Sequence, residues 1–181
     1  MKFTSIDIEG PLVIQPRVFE DERGYFYESF NGRLFKQAGI KDEFVQDNQS
    51  LSQAGTLRGL HFQAPPHAQG KLVRVISGAV LDVIVDIRKN SATYGSTFGI
   101  ELSAKNFTLL WVPPGFAHGF LTLADETIFS YKCTGYYDKA SEGGIIWNDE
   151  TLAISWGISD PVLSEKDRSN KTFGELESPF F

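Results

Sequence analysis

Six short apolar runs follow one another between residues 70 and 137: GKLVRVISG, AVLDVIVDIRK, STFGIELSA, FTLLWVPPG, GFLTLAD and ETIFSYKCTGYY. Each is strand-length, rich in Val, Ile, Phe and Tyr, and punctuated by Gly, Asn, Asp or Pro. The second run alternates with period two, so Leu81, Val83, Val85 and Ile87 share one face and Asp82 and Asp86 the other. Lys71 falls in register with Val73 and Val75, and a charge among apolar neighbours points to a cavity-lining face rather than a dry core. Gly78, between two runs, is expected at a tight hairpin. Helix signals are few. Asn31 is placed to cap a short helix through Phe35 and Ala38 that Gly39 stops. Ser164 followed by Asp167 resembles a capping box ahead of KDRSN. The pattern predicts a mainly β chain, an antiparallel sandwich or jelly-roll barrel with a few short helices and room for a ligand.

At 181 residues the chain suits one well-cored domain, 1–181, and 41% hydrophobic with 22% charged residues is ordinary for a folded protein. MKFTSIDIEGPL has no apolar h-region and no run reaches membrane-spanning length, so a cytoplasmic protein without a membrane partner is expected. Cys133 is the only cysteine, which excludes an internal disulfide and a thiolate metal cage; its setting in IFSYKC suits a small buried residue. A formal net charge of −6 argues against nucleic acid. An anionic small molecule would need a local cluster of Arg and Lys.

The three histidines are at 61, 67 and 118. Pro113, Gly115 and His118 give the P-x-G-x-x-H pattern of the second cupin motif. His61, in RGLHFQ, stands where a metal-binding cupin shows H-x-H, but the second position is Gln63. Two imidazoles at i and i+2 grip a divalent ion from one strand face, whereas His with an amide is a poor pair, and Lys71 nearby would repel a cation. No metal is expected. His61 and His118 then read either as hydrogen-bonded core groups or as functional ones, with His61 a general base. Arg58, His61 and Lys71 crowd one strand pair, an arrangement that needs an anion or carboxylates to compensate it. On a regular strand Arg58 and His61 face opposite sides; a bulge at Gly59 would turn both inward.

By residue type alone, Tyr131, Tyr136 and Tyr137 are cross-strand packing residues, or rings able to stack on a planar base. In DERGYFYESF, Arg23 sits at a turn ahead of a strand carrying Glu28. FVQDNQS concentrates Gln46, Asp47 and Asn48, as an Asx-type turn or a polar ligand cradle.

Taken in order, FEDERGYFYESF, FVQDNQS, LRGLHFQ, QGKLVRVISGAVLDVIVDIR, WVPPGFAHGF and SEGGIIWNDE resemble the dTDP-4-dehydrorhamnose 3,5-epimerase family, from about residue 10 to about residue 168. The resemblance implies that His61 is the proton acceptor, Asp167 the carboxylate that orients it, Tyr131 the proton donor and Lys71 the cation at the enolate oxygen. It implies that Arg23, Glu28, Gln46, Asp47, Asn48, Arg58, His118, Glu142 and Lys166 hold the nucleotide sugar and that Tyr137 stacks on thymine. It further implies a jelly-roll homodimer without metal or cofactor, part of each site coming from the partner subunit, acting on a dTDP-linked 4-keto-6-deoxy sugar. The chemistry is consistent: protons beside a ketone are weakly acidic, so a base, a cation and an acid on the opposite face suffice without redox. His67, in APPHAQ, is given no role, and the tail aromatics are expected to pack on the barrel. Three rivals are weighed against this: a related epimerase acting at one carbon or on another dTDP-keto sugar, a metal-dependent cupin oxygenase, and a non-catalytic sugar-binding cupin.

Overall fold

The computed structural model describes residues 1–181 and contains thirteen strands and two short helices. A six-stranded antiparallel sheet has the order β1 (Lys2–Ser5), β2 (Leu12–Gln15), β10 (Leu109–Val112), β7 (Lys71–Ser77), β12 (Thr127–Cys133), β5 (Gln46–Ser52). Facing it is a five-stranded sheet of β13 (Glu142–Gly144), β6 (Leu57–Gln63), β11 (Phe116–Thr122), β8 (Ala79–Asp86) and β9 (Thr97–Ser103). A separate hairpin joins β3 (Phe19–Asp21) to β4 (Gly24–Phe26). The architecture is the expected cupin-like jelly roll.

Alternation sorts the apolar residues into three layers. Val73, Val75, Val80, Ile84, Phe120 and Phe129 pack between the sheets. The opposite face of the five-stranded sheet, with Leu57, Leu60, Val83, Val85 and Leu121, is covered by the C-terminal segment through Ile145, Leu152, Trp156 and Phe180. Leu72, Leu109 and Trp111 on the outer face of the other sheet meet Phe35 of α1 (Gly32–Gln37). All seven residues of β11 are buried, because that strand is covered on both faces. Asn31 caps α1 by accepting from the backbone N–H of Arg33 and Leu34, as expected. Phe180 joins the barrel, while Phe181 is exposed.

The hairpin expected at Gly78 is not formed. β7 and β8 lie in different sheets, and Gly78 is the corner where the chain crosses between them. The same Gly chemistry serves: its φ is +79°, and a β-carbon there would collide with Thr127 of β12. Likewise β6 and β7 do not pair, so Arg58 and His61 lie on one sheet and Lys71 on the other. The crowding of cations is thereby relieved across a cavity instead of along a ladder.

Candidate active site

Between the sheets lies a cavity of about 450 Å³ lined by Arg58, His61, Lys71, His118, Tyr131, Lys166 and Asp167. A second cavity of about 320 Å³ shares His61, Lys71 and Tyr131 with it and adds Gln46, Asn48, Tyr137 and Glu142. β6 carries one extra residue relative to β11, since His118 is paired with His61 but Phe120 with Arg58. The bulge expected at Gly59 is therefore present, and it brings Arg58 and His61 to one cavity. Gly59 has φ of +120°, and the backbone of Gly119 leaves no space for a side chain there.

His61 Nε2 lies 2.5 Å from Asp167 Oδ1. Asp167 is held by α2 (Glu165–Arg168), where the Ser164 hydroxyl accepts its backbone N–H. The capping box is only half made: the Asp167 carboxylate turns to His61 instead of back to the Ser164 backbone. Burial pushes the Asp167 carboxyl up, but the His61 hydrogen bond and charge, the Ser164 bond and the Lys166 charge outweigh it, leaving it below the usual range.

Across the cavity, Lys71 and Tyr131 extend from β7 and β12. Burial lowers the Lys71 ammonium, with the neighbouring Cys133, Asp82 and Glu142 opposing it. Burial also raises the Tyr131 phenol, which keeps it protonated at neutral pH. Cys133 is paired with Lys71, is buried and accepts a hydrogen bond from Asn48 Nδ2 at 3.5 Å, so it is a small buried residue as expected. Burial raises its thiol.

His118 Nε2 lies 2.9 and 3.0 Å from the two carboxylate oxygens of Asp82. Glu142 binds the Lys166 ammonium and accepts from the Tyr137 hydroxyl at 3.0 Å. Burial raises the Glu142 carboxyl, and those two partners with the Lys166 and His61 charges bring it below its ordinary value. No three His, Cys, Asp or Glu side chains converge on one point; each cavity histidine already has its own carboxylate.

Three of the residues named from sequence lie elsewhere. Arg23 sits in the β3–β4 hairpin, paired with Asp21 and 86% exposed. Glu28 lies just before α1 and accepts from Asn31 Nδ2. Asp47 is on the opposite face of β5 from Gln46 and Asn48, where Lys132 binds it at 2.9 Å. Asp82 was not singled out as a site residue; only its place on the face opposite Leu81 and Val83 was readable.

The family model for dTDP-4-dehydrorhamnose 3,5-epimerase matches residues 5–175. The chain belongs to this family. The dTDP-4-dehydrorhamnose 3,5-epimerase of Shigella flexneri is 51% identical over 98% of both chains. The crystal structure of an epimerase of the family from Legionella pneumophila, in complex with dTDP-4-keto-L-rhamnose, has a TM-score of 0.95 and 44% identity over 99% of this chain and 98% of that one. A 3'-monoepimerase from Streptomyces bikiniensis, in complex with dTDP-quinovose, has a TM-score of 0.87 and 33% identity over 92% of this chain and 85% of its own. The solved structures similar to this chain thus include both a 3,5-epimerase and a 3'-monoepimerase.

Proposed function

We propose that this chain epimerises dTDP-4-dehydro-6-deoxy-D-glucose at C3 and C5, giving dTDP-4-dehydro-L-rhamnose for dTDP-L-rhamnose biosynthesis. The observation that carries the reading is the 2.5 Å His61–Asp167 pair opening on the cavity that Lys71 and Tyr131 also line. With Nε2–H given to Asp167, the His61 ring keeps a lone pair on Nδ1 for the proton beside the ketone. Lys71 stabilises the enolate oxygen, and its charge counts for more in a cavity shielded from water than it would outside. Asp167 stabilises the imidazolium that forms. Tyr131, kept protonated by burial, returns a proton from the opposite sheet, and the configuration inverts. The ketone supplies the activation, so the steps call on no redox cofactor.

Arg58 and Lys166 offset the diphosphate, with Gln46, Asn48, His118 and Glu142 around the sugar and Tyr137 stacked on the thymine. Arg23, Glu28 and Asp47 belong to the site through a homodimer. Phe19, Tyr25 and Phe26 of the Arg23 hairpin are 50, 58 and 66% exposed, which suits an element that reaches a second copy. Each protomer works as a single 1–181 domain, in the cytoplasm. No helix is long and apolar enough to cross a membrane.

The family resemblance to a 3'-monoepimerase makes inversion at one carbon the second reading. Incubation with the 4-keto-6-deoxyglucose nucleotide in D2O, followed by NMR of the ring protons, separates the two. Deuterium at C3 and C5 is expected. Exchange at one carbon supports the second reading, and exchange at neither overturns both.

A further inference from the structure

The segment Gly135–Asp138, which carries Tyr137, is held by three glutamine side chains from three parts of the fold. Gln69 Nε2 donates to the Gly135 carbonyl at 2.6 Å. Gln63 Nε2 donates to the Tyr136 carbonyl at 3.2 Å, and Gln63 Oε1 accepts from the Asp138 N–H at 2.7 Å. Gln46 Oε1 accepts from the Tyr137 N–H at 3.1 Å. Gln63 also donates to the His67 carbonyl at 2.6 Å, so its one amide ties the 64–70 loop to the Tyr137 segment. Its side chain is buried and its amide is fully spent on backbone. This accounts for the position where a metal-binding cupin has its second histidine.

Tyr137 needs such support. It is 55% exposed, so its place comes largely from the backbone beneath it and from its hydroxyl bond to Glu142. An exposed ring that must hold one orientation to stack on a planar ligand gains affinity mainly from being fixed beforehand. We infer that Gln63, supported by Gln69, is a positioning residue for nucleotide binding: it acts through the Tyr137 segment and takes no part in proton transfer. The inference rests on the reading of Tyr137 as the base-stacking residue.

The test is a double-mutant cycle on dTDP binding and turnover with Gln63→Met, which keeps the length and removes the amide, and Tyr137→Ala. Gln63→Met is expected to weaken dTDP binding and raise KM by about tenfold, leaving kcat at saturation within about threefold. In the Tyr137→Ala background the same substitution is expected to change dTDP affinity less than about twofold. Equal, additive losses in both backgrounds would overturn the inference, because Gln63 would then act independently of Tyr137. So would a fall in kcat with unchanged KM. If Tyr137→Ala alone leaves dTDP affinity unchanged, the stacking assignment fails, and that result is distinct from additivity. Should Gln63→Met not fold, Gln69→Met removes one bond to the same segment and decides the matter: a rise in KM of about threefold at constant kcat supports positioning, and no change in KM overturns it.

Discussion

His61 and His118 are cross-strand neighbours on β6 and β11, and each is bound to one aspartate, yet the His61 side chain is 27% exposed and that of His118 only 6%. Their carboxylates arrive differently. Asp82 comes from the adjacent strand β8 and is fully buried, its carboxylate bonded to His118 alone. Asp167 comes from the capped turn of α2, 106 residues away in sequence, and sits at the cavity edge near Lys166. The same two residue types thus make two different devices. The open pair faces the cavity, where a substrate can reach it. The sealed pair ties β11 to β8 in the cavity floor.

The largest expected effect is on the open pair. His61→Ala should lower kcat by about 10³- to 10⁴-fold and, by leaving the buried Asp167 carboxylate without its partner, lower Tm by about 2–4 °C. Solvent-deuterium exchange and thermal denaturation on the same preparation check both halves. His118→Ala should weigh mainly on stability, costing about 3 kcal/mol and about 10 °C in Tm by stranding the Asp82 carboxylate, and should raise KM through its lost place beside the sugar. If exchange vanished in the His118 variant and survived in the His61 variant, the two roles would have to be exchanged. Next in size is Tyr131→Phe, which should slow reprotonation of the second face by about 100-fold while initial proton loss continues. Equal loss of both steps, followed by NMR, would remove Tyr131 from the donor role.

The contrast between the pairs explains what could be read from the chain alone. Strand periodicity placed Lys71, Val73 and Val75 on one face, and it placed Asp82 opposite Val83, because alternation is a local rule. Capping chemistry located both short helices for the same reason. Partner choice across space is not local. Nothing in AVLDVIVD shows that Asp82 meets His118, and a glycine at φ +79°, as Gly78 is, serves a hairpin and an inter-sheet corner equally well. Asp167 was reachable only through the ordered resemblance to a family. Arg23 and Glu28, named in the same way, lie outside the cavity of their own chain. Gln63 was noticed for the histidine it replaces, while its bonds to two loops depend on long-range packing that no spacing encodes.

The smallest expected effect isolates Asp167 from its role in turnover. Its carboxyl lies below the ordinary value, with burial opposing and His61, Ser164 and Lys166 prevailing. A carboxyl depressed on folding stabilises the fold at pH above its unfolded value, and that contribution drains away as pH falls through the folded one. Asp167→Asn should therefore lower Tm by about 2–4 °C at pH 7, and the gap to the parent should close as pH drops below about 4. Thermal denaturation at a series of pH values measures it. A gap that stayed constant into acid would mean that the 2.5 Å contact does not stabilise the ionised carboxylate. The open pair would then differ from the sealed one only in exposure, and the argument that Asp167 favours the imidazolium at His61 would lose its physical basis.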